Sequence, residues 1–190
     1  MTLGCKATLD SVGRIMPKMH SLRTVIKKQG DDWTLLVRIV KKVVRLLAKL
    51  HAAGLFHGSI NTKNIVLLST GDVALAYSEV DDAKPRSAAQ DVYAIGVVLF
   101  KILCGPSGSN LAEARRRRGV MKFDLETTPY LGLEPPEPFY TVHEWPDAVG
   151  TGVLELMRQC TEPVAADRLS MFEVYAALNV LLPEEHRDQP

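Results

Sequence analysis

HAAGLFHGSINTKNIVLL, residues 51–68, is a run of small and polar residues set between two apolar segments. Upstream of it, Leu36, Val40, Val43, Leu47 and Leu50 recur at intervals of three and four, while Lys41, Lys42, Arg45 and Lys49 fall elsewhere. That is the period of one helix face, so the spacing predicts an amphipathic helix from Trp33 to Leu50. Asp31 or Asp32 stands where an N-cap belongs, and Gly54 where the chain leaves the helix. Downstream, NIVLLSTGDVALAY sets two β-branched and leucine-rich runs around STGD, the pattern of a small hairpin.

Further out, DVYAIGVVLFKILCG, from Asp91, is apolar on nearly every side except Lys101. A helix of that kind is buried all round and forms the centre of a domain. Beyond a Gly and Ser loop at 105–110 come LAEARRRRG and the proline-bearing LEPPEPFYTVHEWP, then two helices, Ala148 to Cys160 and Ser170 to Leu182. Ser170 and Glu173 have the spacing of a capping box. At the other end, TLGCKATL and VGRIM read as two short strands ended by Pro17, and HSLRTVIKKQGDD as a short helix closed by Gly30. Periodicity alone gives an α+β, mostly α, domain.

The 190 residues, 46% hydrophobic and 24% charged, suffice for one sizeable core, and a single domain is expected. A formal net charge of +1 argues against a global attraction to nucleic acid or anionic lipid. Any basic patch is local, as at Arg115, Arg116, Arg117 and Arg118, a run that is either a solvated face or a contact for an anionic partner. Cys5, Cys104 and Cys160 are odd in number and lack CxxC spacing, so neither a disulfide framework nor a zinc site is suggested. The N-terminus has no signal-peptide pattern, and no apolar stretch reaches the roughly 20 residues that span a bilayer. A cytoplasmic address is the default, with a secreted effector left open should an upstream signal exist.

Residues 51–64 resemble the protein-kinase segment that runs from the end of a long helix through the catalytic loop H-R-D-x-x-x-x-N into a hairpin. His57 stands at the histidine, Gly58 at the arginine, Ser59 at the catalytic aspartate and Asn64 at the metal-binding asparagine. In GDVALAYSE, Tyr77 falls at the magnesium-binding aspartate of D-F-G, Ser78 at its phenylalanine and Glu79 at its glycine. DVYAIGVVLFKILCG is similar to the kinase central helix, whose opening aspartate, here Asp91, anchors the catalytic-loop backbone. CTEPVAADRLSMFEVYAAL resembles the last family block, with Arg168 at its arginine, and MPKMHSL resembles the hinge. The order of these matches implies a kinase-like C-terminal lobe over residues 20–190. Residues 1–19 would be the hinge and at most two remnant strands of the N-terminal lobe.

Phosphoryl transfer depends on positioning and electrostatics: metal ions and a lysine neutralise the phosphates, and an aspartate orients the attacking hydroxyl. Here no Gly-rich loop or V-A-I-K lysine precedes the hinge, and no A-P-E follows. Ser59 cannot accept a proton near neutral pH as a carboxylate does, and uncharged Asn64 would hold magnesium poorly. Asp72 reads as a turn residue, and Asp81 and Asp82 belong to a loop past the motif. His51 and His57 admit a metal pair or, more simply, a histidine packed beneath the loop. Trp145, after Pro135, Pro136, Pro138 and Phe139, either covers the lower lobe or presents an aromatic ring to a partner.

The expected function is that of a catalytically inactive pseudokinase, a protein-interaction scaffold or allosteric regulator, with no catalytic residue, cofactor or metal. Its partner would be another protein or a second copy, covering the upper face at residues 15–22, 57–64 and 75–80, and not a nucleic acid. The alternative is an atypical nucleotide-binding or nucleotide-transferring enzyme on the same fold.

Overall fold

The computed structural model describes residues 19–29, 32–76, 86–104 and 145–188. The expected remnant strands and most of the hinge, at 1–18, lie outside the described residues. So do Tyr77, Ser78, Glu79, Asp81, Asp82, the arginine run at 115–118 and the prolines before Trp145.

The long helix is α2, Trp33–Ala52. Asp32 caps it, its carboxylate accepting the Leu35 N–H at 2.9 Å, and the chain leaves at Gly54 with φ of +72°. Its stripe of Leu36, Val37, Val40, Val43, Val44 and Leu47 has no solvent exposure. The central helix α3 spans Ala88–Cys104, three residues earlier than its apolar run suggests. Ser87 and Gln90 cap each other there: Ser87 Oγ accepts the Gln90 N–H at 3.2 Å, and Gln90 Oε1 accepts the Ser87 N–H at 3.0 Å. Asp91 therefore lies in the first turn and is not the opening cap.

Two further helices close the domain, α4 (Asp147–Cys160) and α5 (Met171–Leu181). The Ser170 and Glu173 capping box is formed at the start of α5. Helix α3 packs along α4, and α2 along α5. Between them lies one core in which Ile95, Leu99, Ile102, Val153, Met157 and Leu178 are buried. Trp145 is buried as well, so it covers this lobe. Burial pushes the Cys160 thiol up to about 12, which leaves it a small, inert apolar group. No helix among the described residues is long and apolar enough to cross a membrane.

Strands β2 (Ile65–Leu67) and β3 (Val73–Leu75) form the hairpin, with Ile65 opposite Leu75 and Leu67 opposite Val73. A third strand, β1 (His20–Ser21), pairs antiparallel with β2, His20 opposite Leu67 and Ser21 opposite Val66. This corrects the helix expected from His20: helix α1 is Leu22–Gln29. The hairpin has an open edge that another backbone can satisfy, and Ser21 serves both elements, its Oγ accepting the Thr24 N–H at 3.4 Å.

Lys41 is a second correction. The helical period puts it outside the apolar stripe, yet it is 5% exposed. Past α5 the chain makes a short 3₁₀ turn, Glu184–His186, and folds back over α2. The Lys41 ammonium donates to Asn179 Oδ1 at 3.1 Å and to the His186 carbonyl at 2.9 Å, and lies 3.4 Å from the Asp188 carboxylate. A buried charge is tolerated where its protons are all taken up in this way.

Candidate functional site

The segment 55–64 runs from the end of α2 to β2 without regular structure, and one carboxylate organises it. Asp91, 1% exposed, accepts the Gly58 N–H through Oδ1 at 2.8 Å and the His57 N–H through Oδ2 at 2.8 Å. His51 Nε2, from the last turn of α2, lies 3.0 Å from the same Oδ2. Three elements thus meet at one buried charge: the end of α2, the loop, and the first turn of α3. Sequence reasoning treated His51 only as a hypothetical metal ligand; its ring nitrogen is committed to Asp91 and its face meets Phe56 edge-on at 5.5 Å.

His57 is buried beneath the loop, its Nδ1 accepting the Ser59 N–H at 3.3 Å. Burial holds its imidazole below the ordinary histidine value; Asp91 pulls the other way, and Arg86 adds to the lowering. Gly58 takes φ of +74°, a left-handed backbone that other residues adopt at a cost. A Cβ there would lie 2.7 Å from Arg86 Cγ and 2.8 Å from its Cδ. The Arg86 stem therefore lies against the loop where a side chain at position 58 would begin. The bare glycine in the arginine place was the only sequence signal for that contact.

The rest of the loop closes on itself. Ser59 offers its carbonyl to Asn61 Nδ2 at 3.1 Å and to Asn64 Nδ2 at 2.9 Å. Asn61 Oδ1 accepts the N–H groups of Lys63 at 2.9 Å and Asn64 at 3.1 Å, an Asx turn that hands the chain to β2. The Asn64 carbonyl accepts the Ala76 N–H at 2.7 Å, fastening the loop to the end of β3. His57, Gly58, Ser59, Asn64 and Asp91 are thus brought together. Arg168 stands apart from them, holding the α4–α5 connection to α3: its Nε donates to the Glu162 carbonyl at 2.8 Å and its Nη1 to the Ala89 carbonyl at 3.0 Å. Its guanidinium lies 4.9 Å from the centre of the Tyr93 ring, a cation–π contact.

Chemically this is a fixed loop without a proton acceptor of carboxylate strength, since Asp91 faces inward onto backbone amides. Among the described residues no group of three His, Cys, Asp or Glu side chains is placed to hold a metal ion. Asp72 sits on the hairpin turn, exposed, accepting from Thr70 Oγ1 at 3.1 Å with Lys42 Nζ 3.6 Å away.

The fold is a partial kinase-like one, mostly helical with a small antiparallel sheet. No protein-family model matches the chain. Over 109 residues it is 34% identical to the calmodulin-binding receptor kinase CaMRLK of Arabidopsis thaliana, covering 50% of this chain and 16% of that protein. Over 123 residues it is 30% identical to At1g64210 of the same plant, whose name provisionally calls it an inactive receptor-like protein kinase; that match covers 53% of this chain and 21% of the relative. The apo structure of the GRMZM2G135359 pseudokinase is similar with a TM-score of 0.58 and 18% identity, covering 85% of this chain and 58% of that one. The two curated relatives and the solved structure that the chain resembles are all kinase-like proteins. The chain spans about a fifth or less of the curated relatives it matches.

Proposed function

We propose that this chain is a catalytically inactive pseudokinase that works through its surface, as a protein-interaction scaffold or an allosteric regulator. The carrying observation is the chemistry of the loop. From His57 to Asn64 it holds no carboxylate, and Asn64 offers only an uncharged amide oxygen where a metal ion would need charge. Transfer of a phosphoryl group requires a base for the acceptor hydroxyl and cations for the phosphate oxygens. A serine hydroxyl supplies neither. The provisional inactivity of one relative and the likeness to a pseudokinase structure support the same reading.

A chain without the chemistry keeps the face on which the chemistry would have been done. That face is built from β1, the loop and the end of β3. Met19, leading into β1, is 49% exposed and Leu55, entering the loop, is 58% exposed. Calmodulin binding belongs to one relative's name, and α2, basic and amphipathic, has the composition of a calmodulin target. Its apolar stripe is committed to the core, so the folded chain offers no groove-seeking face there.

The test is twofold. Phosphotransfer from labelled ATP is expected to be absent in the wild type and in the double variant Gly58→Arg, Ser59→Asp. Transfer by the wild type sinks the reading. Capture of a partner, followed by crosslinking, is expected to map to the face just described and to be lost in Met19→Asp and Leu55→Asp.

A further inference from the structure

On its side toward the C-terminal segment, α2 bears a concentration of positive charge. Arg38, Lys42 and Arg45 recur at intervals of four and three and so share one face of the helix, with Lys41 among them. With Arg187 from the returning C-terminal segment they line a cavity of about 230 Å³. Glu185 and Asp188 also line it, so five cations against two carboxylates leave a local charge of +3, where the whole chain has +1. His186 completes the wall.

These cations differ in how far they are already committed. Lys41 forms the floor, its side chain 7% exposed and its three protons directed at Asn179, His186 and Asp188. Arg187 donates to the Leu182 carbonyl at 2.7 Å and the Val180 carbonyl at 3.1 Å, fixing the end of α5. Around the mouth the commitments are loose. Lys42 gives a proton to the Gly71 carbonyl at 2.6 Å but meets the Asp72 carboxylate only at 3.6 Å, and Arg45, 59% exposed, meets Asp188 only at 3.6 Å. Arg38 is exposed and makes no ion pair or side-chain hydrogen bond among the described residues.

The pocket already shows which sign of charge it accepts. Asp188 reaches into it, takes a hydrogen bond from the Tyr175 hydroxyl, and is held below the usual carboxylate range by that hydroxyl and then by Lys41 and Arg45. Its charge and that of Glu185 leave the cations unbalanced.

We infer that this cavity binds a phosphate group carrying more than one negative charge, recognised by Arg38, Lys42 and Arg45 over the fixed charge of Lys41. Guanidinium groups meet phosphate oxygens in a bidentate fork, which a lysine-only patch would not do. The volume lies below the roughly 300 Å³ at which pockets for drug-sized ligands begin, so the ligand is a compact polyanion. A soluble polyphosphate and the phosphorylated headgroup of a lipid share that chemistry.

Tripolyphosphate, titrated into the full chain by calorimetry at low and at physiological salt, tests the site. Vesicles of phosphatidylcholine with and without a phosphatidylinositol phosphate test the headgroup source. Saturable binding is expected to weaken at least about tenfold in Arg38→Gln, Arg45→Gln and to stay unchanged in Lys27→Gln, Lys28→Gln, which removes equal charge from the exposed end of α1. Arg38→Gln alone disturbs no described contact, and should weaken binding at least about threefold. Capture by phosphoinositide vesicles beyond what tripolyphosphate affinity explains assigns the headgroup, and its absence assigns the soluble ligand. No saturable binding to either probe, or equal losses in both charge variants, overturns the inference. A melting shift with ATP that disappears in the Arg38 and Arg45 variant belongs to this cavity; one that survives places nucleotide elsewhere and counts against the inactive reading.

Discussion

Asp91 takes two backbone N–H groups and lies against the His51 ring nitrogen while almost wholly removed from solvent. Asp91→Ala would strip these buried donors of their acceptor, and urea unfolding should show a loss of about 3 kcal/mol, less for Asp91→Asn, which keeps one oxygen. Gly58→Arg has two obstacles, the left-handed backbone and the Arg86 stem 2.7 Å from the new Cβ. It should cost about 2 kcal/mol or more, with Arg86→Ala restoring only the part due to the clash. His57 supplies a pH dependence. Its folded-state value is lowered by burial, so the unfolded chain binds the proton first. Stability is therefore full above about pH 6.5 and falls as pH drops below it toward the lower folded value. Melting curves from pH 8 to 5 should show this slope, and His57→Gln should flatten it. At this scale the sequence placed Asp91 at the loop through its family position. It could not place Arg86, because a glycine signals that room is left without saying which side chain fills it.

Among the elements, α2 was the most legible, since its apolar residues keep a helical period and its ends carry a cap and a glycine. What periodicity misplaced was Lys41, because burial there comes from a tail that crosses α2 after the rest of the chain is laid down. His20 and Ser21 were misread for a related reason: pairing with β2 is a long-range event, and two residues carry no strand period of their own. The cap of α5 was readable from Ser170 and Glu173 alone. Ser170→Ala should cost about 1 kcal/mol by thermal or urea unfolding. Glu173 is held below the usual carboxylate range by the Ser170 N–H and hydroxyl, so its share of the cap is present above the ordinary glutamate range and fades as pH falls through the lowered value. The comparison of Ser170→Ala with wild type should narrow at acid pH.

For the whole molecule, the kinase-like order of long helix, loop, hairpin and buried helix was legible because each part has its own period or turn residues. The charged cavity was not, for its walls come from residues 38–45 and 185–188, which no local pattern connects. The tail that forms one wall also holds α2 to α5. Deleting residues 183–190 removes two acceptors of the Lys41 ammonium and the Arg187 clasp, and the melting temperature should fall by roughly 4–8 °C. The Asp91 anchor has a different reach. Its two loop partners are amide protons of the main chain, which every residue but proline possesses. The anchor itself is in that respect blind to what the side chains at 57 and 58 are, although the left-handed backbone at 58 and the Arg86 stem favour a glycine there. A lineage could exchange reactive groups for inert ones at those positions while the scaffold kept its shape, and shape is all that recognition by a neighbour requires.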